Sequence, residues 1–515
     1  MQPSDFLTIL SLALAVWAII PSKERRFVLL FFSVFELVLF ASALLVIHYL
    51  MVFDWLTENW FPGLSVFVFS KGIPSKSWAY ILALVAIVYP IVKVNFSFFA
   101  KSRLPDLISL YETYLKEGEL DLLSNFIAKY HIDDIERFKR GESEVPEKSG
   151  KDIVLRRRTA ADVAYEKLVS PKRLLFASWV YGNILRNEAF VRGAANKYPE
   201  LFAKAFKGMH TKEAADQDFA KLFTGELFIH KNKSFIEELK NVNNSNSSLV
   251  DIQEQYDIPI LAGLLSHTKA AEANYVWYSV GNEAVKSLKH DSNQREFLLQ
   301  EYDSDLEPEM WGKKIYIAIV YFNYMVRETI YRDNGYHMWL FYYDRFVALL
   351  VEFLPQENTY EPRLEYPSFA HKMIYEQFSN MTDWLALARD QENDHRVIDT
   401  IRCLGKCIYL LCQASDDKIL PRFRRSMLDM VLNAYFKFSD YPDNPASITA
   451  TKWFEKMFTF PKGTDFGLRE VTDEYLAALQ DAWNHFDKVP FQYHGTGEAI
   501  ERFRDKVLSP LGLEA

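Results

Sequence analysis

The chain has 515 residues and a formal net charge of −9, and an apolar N-terminal region precedes a longer, more polar remainder. Residues 101–515 contain 53 Lys and Arg against 63 Asp and Glu. The overall field of such an acidic domain does not attract nucleic acid or an anionic membrane surface, so direct non-specific nucleic-acid binding is not expected. The three cysteines are too few for a disulfide framework.

Residues 1–103 are predicted to form a three-helix membrane region. Its apolar segments lie near residues 6–20, 27–52 and 77–93, and the second exceeds the roughly 20 residues that a bilayer core requires. The first segment has the length of a signal peptide, but residues 1–5 carry no Lys or Arg and no good cleavage site follows. A retained helix is therefore favoured.

Basic residues near the apolar segments predict the orientation. Lys23, Arg25 and Arg26 follow the first segment, and Lys101 and Arg103 follow the third. Because short cytoplasmic loops carry the excess of Lys and Arg, both places are expected inside the cell. The large domain that follows the spans is then cytoplasmic.

Glu36 is the acidic residue inside the second apolar segment. It lies about a third of the way along, where an unpaired carboxylate is costly, so it is expected to face another helix, a water-filled cavity or another subunit. A homo-oligomer would place several Glu36 side chains around one axis. The alternative is a static anchor with a protonated, hydrogen-bonded Glu36. Ala79 and Ala83 are small enough to let spans approach closely.

The polar remainder is predicted to be all-α. Apolar residues recur at helical spacing after Leu104 and are interrupted at Glu117 and Gly118, which indicates a helical hairpin. In a second hairpin, Asn187 is expected to cap one helix and Pro199 to begin the next.

An Asn- and Ser-rich stretch at 241–248 predicts a boundary between two helical cytoplasmic regions, 104–240 and 249–515. Successive hairpins of unequal length are typical of an irregular α-solenoid, whose surface binds partners. Two very apolar segments, 315–326 and 335–354, are expected to be core helices packed on each other. The alternative is a hairpin that docks on the membrane in some state.

No phosphate-binding loop, nucleophile elbow or zinc-protease motif occurs in the sequence. Cys403 and Cys407 share a helical face, but the spacing of a zinc site is missing and packing is favoured. His131 and His485 lie near carboxylates and are the remaining catalytic candidates, although helix-end roles are favoured. No catalytic residue, metal or cofactor is expected.

Arg156, Arg157 and Arg158 form a compact positive spot on the acidic domain. They are candidates for contact with lipid headgroups or an acidic partner. A solvated helix face is the competing interpretation.

N-terminal spans joined to a long, aromatic-rich helical domain resemble the transmembrane effector subunits of bacterial anti-phage systems, including those that accompany retron reverse transcriptases. The resemblance concerns architecture and includes no diagnostic motif. It implies an inner-membrane toxin that a protein or nucleoprotein regulator holds inactive and that disrupts membrane integrity on infection, causing abortive infection. The competing hypotheses are a membrane-tethered scaffold without toxicity and an enzyme with a helical active site around His131 or His485.

Overall fold

The computed structural model describes residues 11, 18–19, 21–59, 74–95, 103–143, 171–208, 214–243, 257–265, 267–332, 340–355, 365–390, 394–439, 443–459, 471–488 and 497–513. Helices are the regular elements throughout these ranges, and no strand occurs in them, so the all-α prediction is confirmed. By packing, the chain divides into two compact units, one comprising Met1–Phe138 with Lys148–Ile184 and the other Lys139–Glu147 with Leu185–Ala515.

The first unit contains the apolar helices and the first helical hairpin. In chain order its helices are α1 (Ser22–Leu29), α2 (Val34–Asn59), α3 (Ser75–Asn95), α4 (Leu104–Glu117), α5 (Leu120–Tyr130), the start of α6 (Ile132–Ser143), and α7 (Pro171–Asn183).

The second unit contains the remaining helices. They are α8 (Glu188–Lys197), α9 (Pro199–Ala203), α10 (Ala214–Ile229), α11 (Lys233–Asn243), α12 (Pro259–Leu265), α13 (Thr268–Ala273), α14 (Tyr278–His290), α15 (Ser292–Leu299), α16 (Lys314–Tyr331), α17 (Leu340–Phe353), α18 (Phe369–Asp390), α19 (Asp394–Gln413), α20 (Pro421–Ser439), α21 (Pro445–Thr459), α22 (Asp473–His485), α23 (Gly497–Phe503) and α24 (Ser509–Leu511). The described part of this unit also contains short 3₁₀ helices at Lys204–Gly208 and Ser304–Gly312 and a π-helical turn at Arg504–Leu508.

The predicted helix ends lie where the sequence places them. Gly118 adopts a left-handed conformation with φ of 75° and ends α4, as a residue without a Cβ does readily. The Asn187 side chain accepts a hydrogen bond from the Phe190 N–H at 2.9 Å and caps α8. Pro199 is the first residue of α9. Both predicted hairpins are therefore confirmed at these positions.

The two central apolar segments form core helices, as predicted. The rings of Phe322 in α16 and Tyr342 in α17 stack with centroids 5.4 Å apart. The Tyr343 hydroxyl donates to the Ile319 carbonyl at 2.9 Å, so the polar end of this buried side chain is satisfied inside the core. Burial, not exposure to lipid, therefore accounts for the apolar composition of both helices.

The membrane region differs from its prediction. Among the described residues, two helices are long and apolar enough to cross a membrane, Val34–Phe53 and Ser75–Val94, where the sequence predicted three spans. Only residues 11, 18 and 19 of the first predicted span, near 6–20, are among those described. The prediction of one span at 27–52 is wrong in its start, because the chain breaks between α1 and α2 and Phe27 belongs to a separate helix.

The division into compact units does not test the predicted boundary. The predicted boundary at 241–248 lies within the second compact unit, and residues 244–250 are outside the described residues. The regions 104–240 and 249–515 therefore stay a prediction.

Candidate functional site at the base of the apolar hairpin

The two apolar helices pack side by side and antiparallel. Ile47 and Met51 of α2 contact Ala79 and Ala83 of α3, and all four are buried. The small alanine side chains let the helix backbones approach closely, as the sequence predicted for these two positions.

Elsewhere, the surface of the hairpin is apolar. All but three of the exposed large hydrophobic side chains in the described residues lie between Ile19 and Val92. Trp55 and Trp78 are both exposed at the end of the hairpin opposite Glu36, and exposed tryptophans at this position are typical of a membrane–water interface. An exposed apolar surface of this extent requires lipid or another apolar partner.

Glu36 lies in the first turn of α2 and closes its N-terminus. The Ser33 N–H and the Ser33 hydroxyl donate to Glu36 Oε2 at 2.7 and 2.8 Å. In return, the Glu36 N–H donates to Ser33 Oγ at 3.2 Å. This reciprocal pattern is a capping box, which satisfies N–H groups that have no partner inside the helix.

The other oxygen of Glu36 binds the second apolar helix. Lys93 Nζ forms an ion pair with Glu36 Oε1, and the Tyr89 hydroxyl donates to the same oxygen. The Lys93 ammonium also lies 5.3 Å from the centroid of the Phe32 ring, a cation–π distance. With four donors, the acceptor capacity of the carboxylate is fully used.

Aromatic side chains join this end of the hairpin to α4 and α5. The rings of Phe27 and Phe126 stack with centroids 3.7 Å apart and an interplanar angle of 3°. Phe31 lies edge-on to Tyr130 at 5.4 Å. Phe27 and Phe31 are both buried. These rings anchor the chain immediately before it enters the apolar hairpin.

Polar contacts hold the start of α1 on the hairpin formed by α4 and α5. Burial raises the pKa of Tyr114 to about 12, so its phenol stays protonated and donates to the Lys23 carbonyl at 2.9 Å. Lys23 Nζ forms an ion pair with Glu119, and both side chains are partly exposed. Three of the residues used to predict orientation, Lys23, Arg25 and Arg26, thus lie on a docked helix.

The structure corrects the predicted depth of Glu36. It is the third residue of the apolar span Val34–Phe53, near the end of that helix, and not a third of the way into a longer one. A carboxylate costs less near the interface than at the bilayer centre, and here it has a cationic partner. As described, Glu36 fixes helix geometry and ties α2 to α3. A role in conduction or assembly stays a prediction.

The other residues that the sequence marks as functional candidates do not lie at the base of the apolar hairpin. Arg156, Arg157 and Arg158 lie outside the described residues. His131 is buried, its Nε2 lies 2.8 Å from the Tyr111 hydroxyl, and its ring packs on Phe176.

His485 lies at the end of α22. Its Nδ1 is 2.8 Å from the Asp481 carbonyl and 3.3 Å from the Asp481 carboxylate. Arg425 also binds that carboxylate, at 2.8 Å. His485 therefore belongs to a surface ion-pair cluster.

Cys403, Cys407 and Cys412 are buried as free thiols within α19, which agrees with a packing role. Across the ranges that the structure describes, no cluster of three or more His, Cys, Asp or Glu side chains is arranged to hold a metal ion.

A cleft of about 300 Å³ opens in the second unit, lined by residues 196–201 and 232–234. Lys197 and Lys233 line it together with Glu200, and Lys233 also pairs with Glu237 at 3.7 Å. These opposite charges offset one another, so the cleft has no clear preference for an anion or a cation.

One signal in the sequence could have located the base of the hairpin. Ser33 and Glu36 match the S-x-x-E pattern of a capping box, and an apolar run follows them. That pattern predicts a helix start at Val34 inside what hydropathy alone treats as one span. Tyr89 and Lys93 carry no comparable signal, because only the antiparallel pairing brings them to Glu36.

Comparisons with protein-family models, curated proteins and solved structures returned no match for this chain.

Proposed function

We propose that the chain is an inner-membrane effector of bacterial antiviral defence, controlled through its cytoplasmic helical domain and acting through its spans to disrupt membrane integrity. The observation that carries the proposal is the polar group at the base of the hairpin. Glu36, Tyr89 and Lys93 join the two apolar helices, and Phe27 and Phe31 join the same place to α4 and α5. An inert anchor needs apolar length alone.

The described arrangement suits a restrained form of such an effector. All acceptor sites of Glu36 are occupied within the chain, so this carboxylate is not free to line a conducting path or to bind a second copy. In the proposed mechanism a protein or nucleoprotein regulator binds the helical domain, which presents an irregular α-solenoid surface. Loss of that regulator on infection frees the spans to reorganise, together with a third span near residues 6–20, into a homo-oligomer.

Basic residues suggest the orientation of the chain and one further contact. The basic residues at 23–26 and Arg103 support a cytoplasmic location of the large domain. Arg156, Arg157 and Arg158 would contact lipid headgroups or an acidic surface of the regulator.

A membrane-tethered scaffold is the second candidate. The observation that favours it is the same ion pair, because Lys93 already neutralises Glu36 as a static anchor would require. In that case the spans hold the helical surface at the inner face, and membrane potential is unaffected.

Inducible expression of the full chain alone, with a potential-sensitive dye, separates the two functions. An effector without its regulator depolarises the cells, whereas a scaffold does not. Glu36→Gln should abolish depolarisation at equal membrane abundance. His48→Gln, a polar change in the same span, is the matched control and should have no effect. Absence of depolarisation by the intact chain at normal membrane abundance would reject the effector and leave the scaffold.

A further inference from the structure

The break between α1 and α2 is not imposed by a helix-breaking residue. Residues 30–33 are Leu30, Phe31, Phe32 and Ser33, so three apolar residues and one serine form the break, and neither Gly nor Pro occurs in it. The N–H groups of Leu30, Phe31 and Phe32 donate to carbonyls three residues earlier, at 3.0 to 3.2 Å. Hydrogen bonds of this spacing form a tightened turn at a helix end. Leu and Phe can continue an α-helix, so these residue types do not explain why the helix ends here.

One local and one tertiary feature maintain the break. The capping box fixes Ser33 outside the helix and starts α2 at Val34. The stack of Phe27 on Phe126 holds α1 against α5. Without these contacts, the apolar pattern favours a continuous helix through 22–59, because neither Gly nor Pro interrupts it.

The continuous helix would not fit the bilayer as the broken one does. The span Val34–Phe53 has 20 residues, and at 1.5 Å per residue it is about 30 Å long, which matches a hydrocarbon core. An apolar run from Phe27 to Phe53 would be about 40 Å long and would have to tilt or deform the bilayer.

We propose that the Phe27–Phe126 stack and the Ser33–Glu36 capping box form a latch that keeps residues 22–59 as two helices, and that release of the latch lets them form one over-long span. This inference rests on the proposed function, for which it supplies the regulated step. On release, Glu36 moves from the end of its span to about a third of the way along it. Its position relative to Lys93 then changes, and the over-long span exposes a carboxylate to the membrane interior.

Carbodiimide cross-linking of native residues tests the latch in the full chain in its membrane. The reagent couples an amine to a carboxylate that touches it, and Lys23 and Glu119 make such a contact while α1 is docked. The reference is the cross-link between Lys406 and Asp344 in the second unit, whose atoms are 3.1 Å apart. Mass spectrometry gives the ratio of the two products from one sample.

Phe27→Ala should lower the Lys23–Glu119 ratio at least about fivefold, because loss of a buried aromatic ring strongly shifts a two-state equilibrium. Phe235→Ala, a buried phenylalanine of the second unit, is the matched control and should leave the ratio unchanged. A ratio within about twofold of the wild type in Phe27→Ala overturns the latch, since loss of a buried ring should shift the equilibrium further than that. If Phe27→Ala does not accumulate, Phe27→Leu keeps the apolar burial, loses the stacking and is judged by the same criterion.

Amide hydrogen exchange over residues 30–33 tests the continuous helix. Slower exchange in Phe27→Ala is expected, because those amides gain regular helical hydrogen bonds and enter lipid. Faster exchange would mean that the segment only unfolds, and this result overturns the inference.

Measurements with a potential-sensitive dye in the same cells separate the latch from the effector function. Loss of the cross-link without depolarisation supports the latch and contradicts the effector, whereas depolarisation with the cross-link retained contradicts the latch alone.

Discussion

Ser33 and Glu36 cap α2 reciprocally, with the Ser33 N–H 2.7 Å from Glu36 Oε2 and the Glu36 N–H 3.2 Å from Ser33 Oγ. The first N–H groups of any helix lack partners within the helix. Near a bilayer they also lose water, so capping by side chains matters more there. The carboxylate that hydropathy marks as an anomaly is therefore a helix-start residue, and its second oxygen is free to bind Lys93.

Ser33→Ala should weaken the start of α2. Loss of an N-cap side chain costs about 1 kcal/mol, which corresponds to roughly fivefold faster exchange of the Glu36 amide. Hydrogen exchange of the full chain in nanodiscs measures this rate. Ser33→Thr keeps the hydroxyl and should exchange like the wild type. Equal protection in Ser33→Ala would show that the capping box does not stabilise the helix.

Glu36 and Lys93 should show strong coupling in a double-mutant cycle. Glu36→Gln leaves the ammonium without its counter-charge, and Lys93→Gln does the same to the carboxylate. Each single change should destabilise the hairpin by about 2 kcal/mol, and the double change by less than the sum. Thermal unfolding of the full chain in detergent measures all four proteins. Additive effects would mean that the ion pair contributes little to the hairpin.

The helical class and several helix ends could be predicted because they depend on local chemistry. Gly118 ends α4 by its left-handed conformation, Asn187 caps α8 with its own side chain, and Pro199 suits a first helical turn. None of these needs a distant partner.

The start of the first described span could not be predicted from hydropathy, because tertiary contacts override it. Phe27 and Phe31 are as apolar as the residues of a span, and only the positions of Phe126 and Tyr130 show that they pack on helices instead of lipid. The same limit applies to Glu36. The sequence marks it as exceptional, but Lys93 lies 57 residues away along the chain and reaches it through the antiparallel pairing.

Glu238 should make the second unit less stable as the pH rises. Burial raises the pKa of Glu238 to about 7, although the Ile260 and Leu261 N–H groups donate to its carboxylate at 3.0 and 2.7 Å and favour the charged form. The folded pKa lies above the unfolded value of 4.5, so the folded state binds the proton more tightly. This contribution to stability is complete below pH 4.5 and is lost as the pH rises to about 7.

Comparison with Glu238→Gln isolates that effect. The wild type should lose up to about 3 kcal/mol relative to the variant between pH 4.5 and pH 8, because each unit of pKa shift corresponds to about 1.4 kcal/mol. Thermal midpoints of the full chain at both pH values give the difference. A difference that does not change with pH would show that Glu238 keeps an ordinary pKa in the folded protein.

Two helical glycines of the second unit should respond oppositely to alanine. A Cβ at Gly263 would lie 2.3 Å from the backbone oxygen of Ala203, so α12 cannot keep its distance from α9. A Cβ at Gly193, in α8, meets nothing within 4 Å. Gly193→Ala should therefore raise the free energy of unfolding by about 0.5–1 kcal/mol, since alanine loses less backbone entropy in a helix.

Gly263→Ala should lower the free energy of unfolding by about 1–3 kcal/mol, the range typical of an overpacked core. The same thermal measurement on both variants provides the control, because each replaces a helical glycine with alanine and only the surroundings differ. If Gly263→Ala were as stable as Gly193→Ala, the close approach of α9 and α12 would be wrong. The Ala203 carbonyl would then lie farther from α12 than the structure places it.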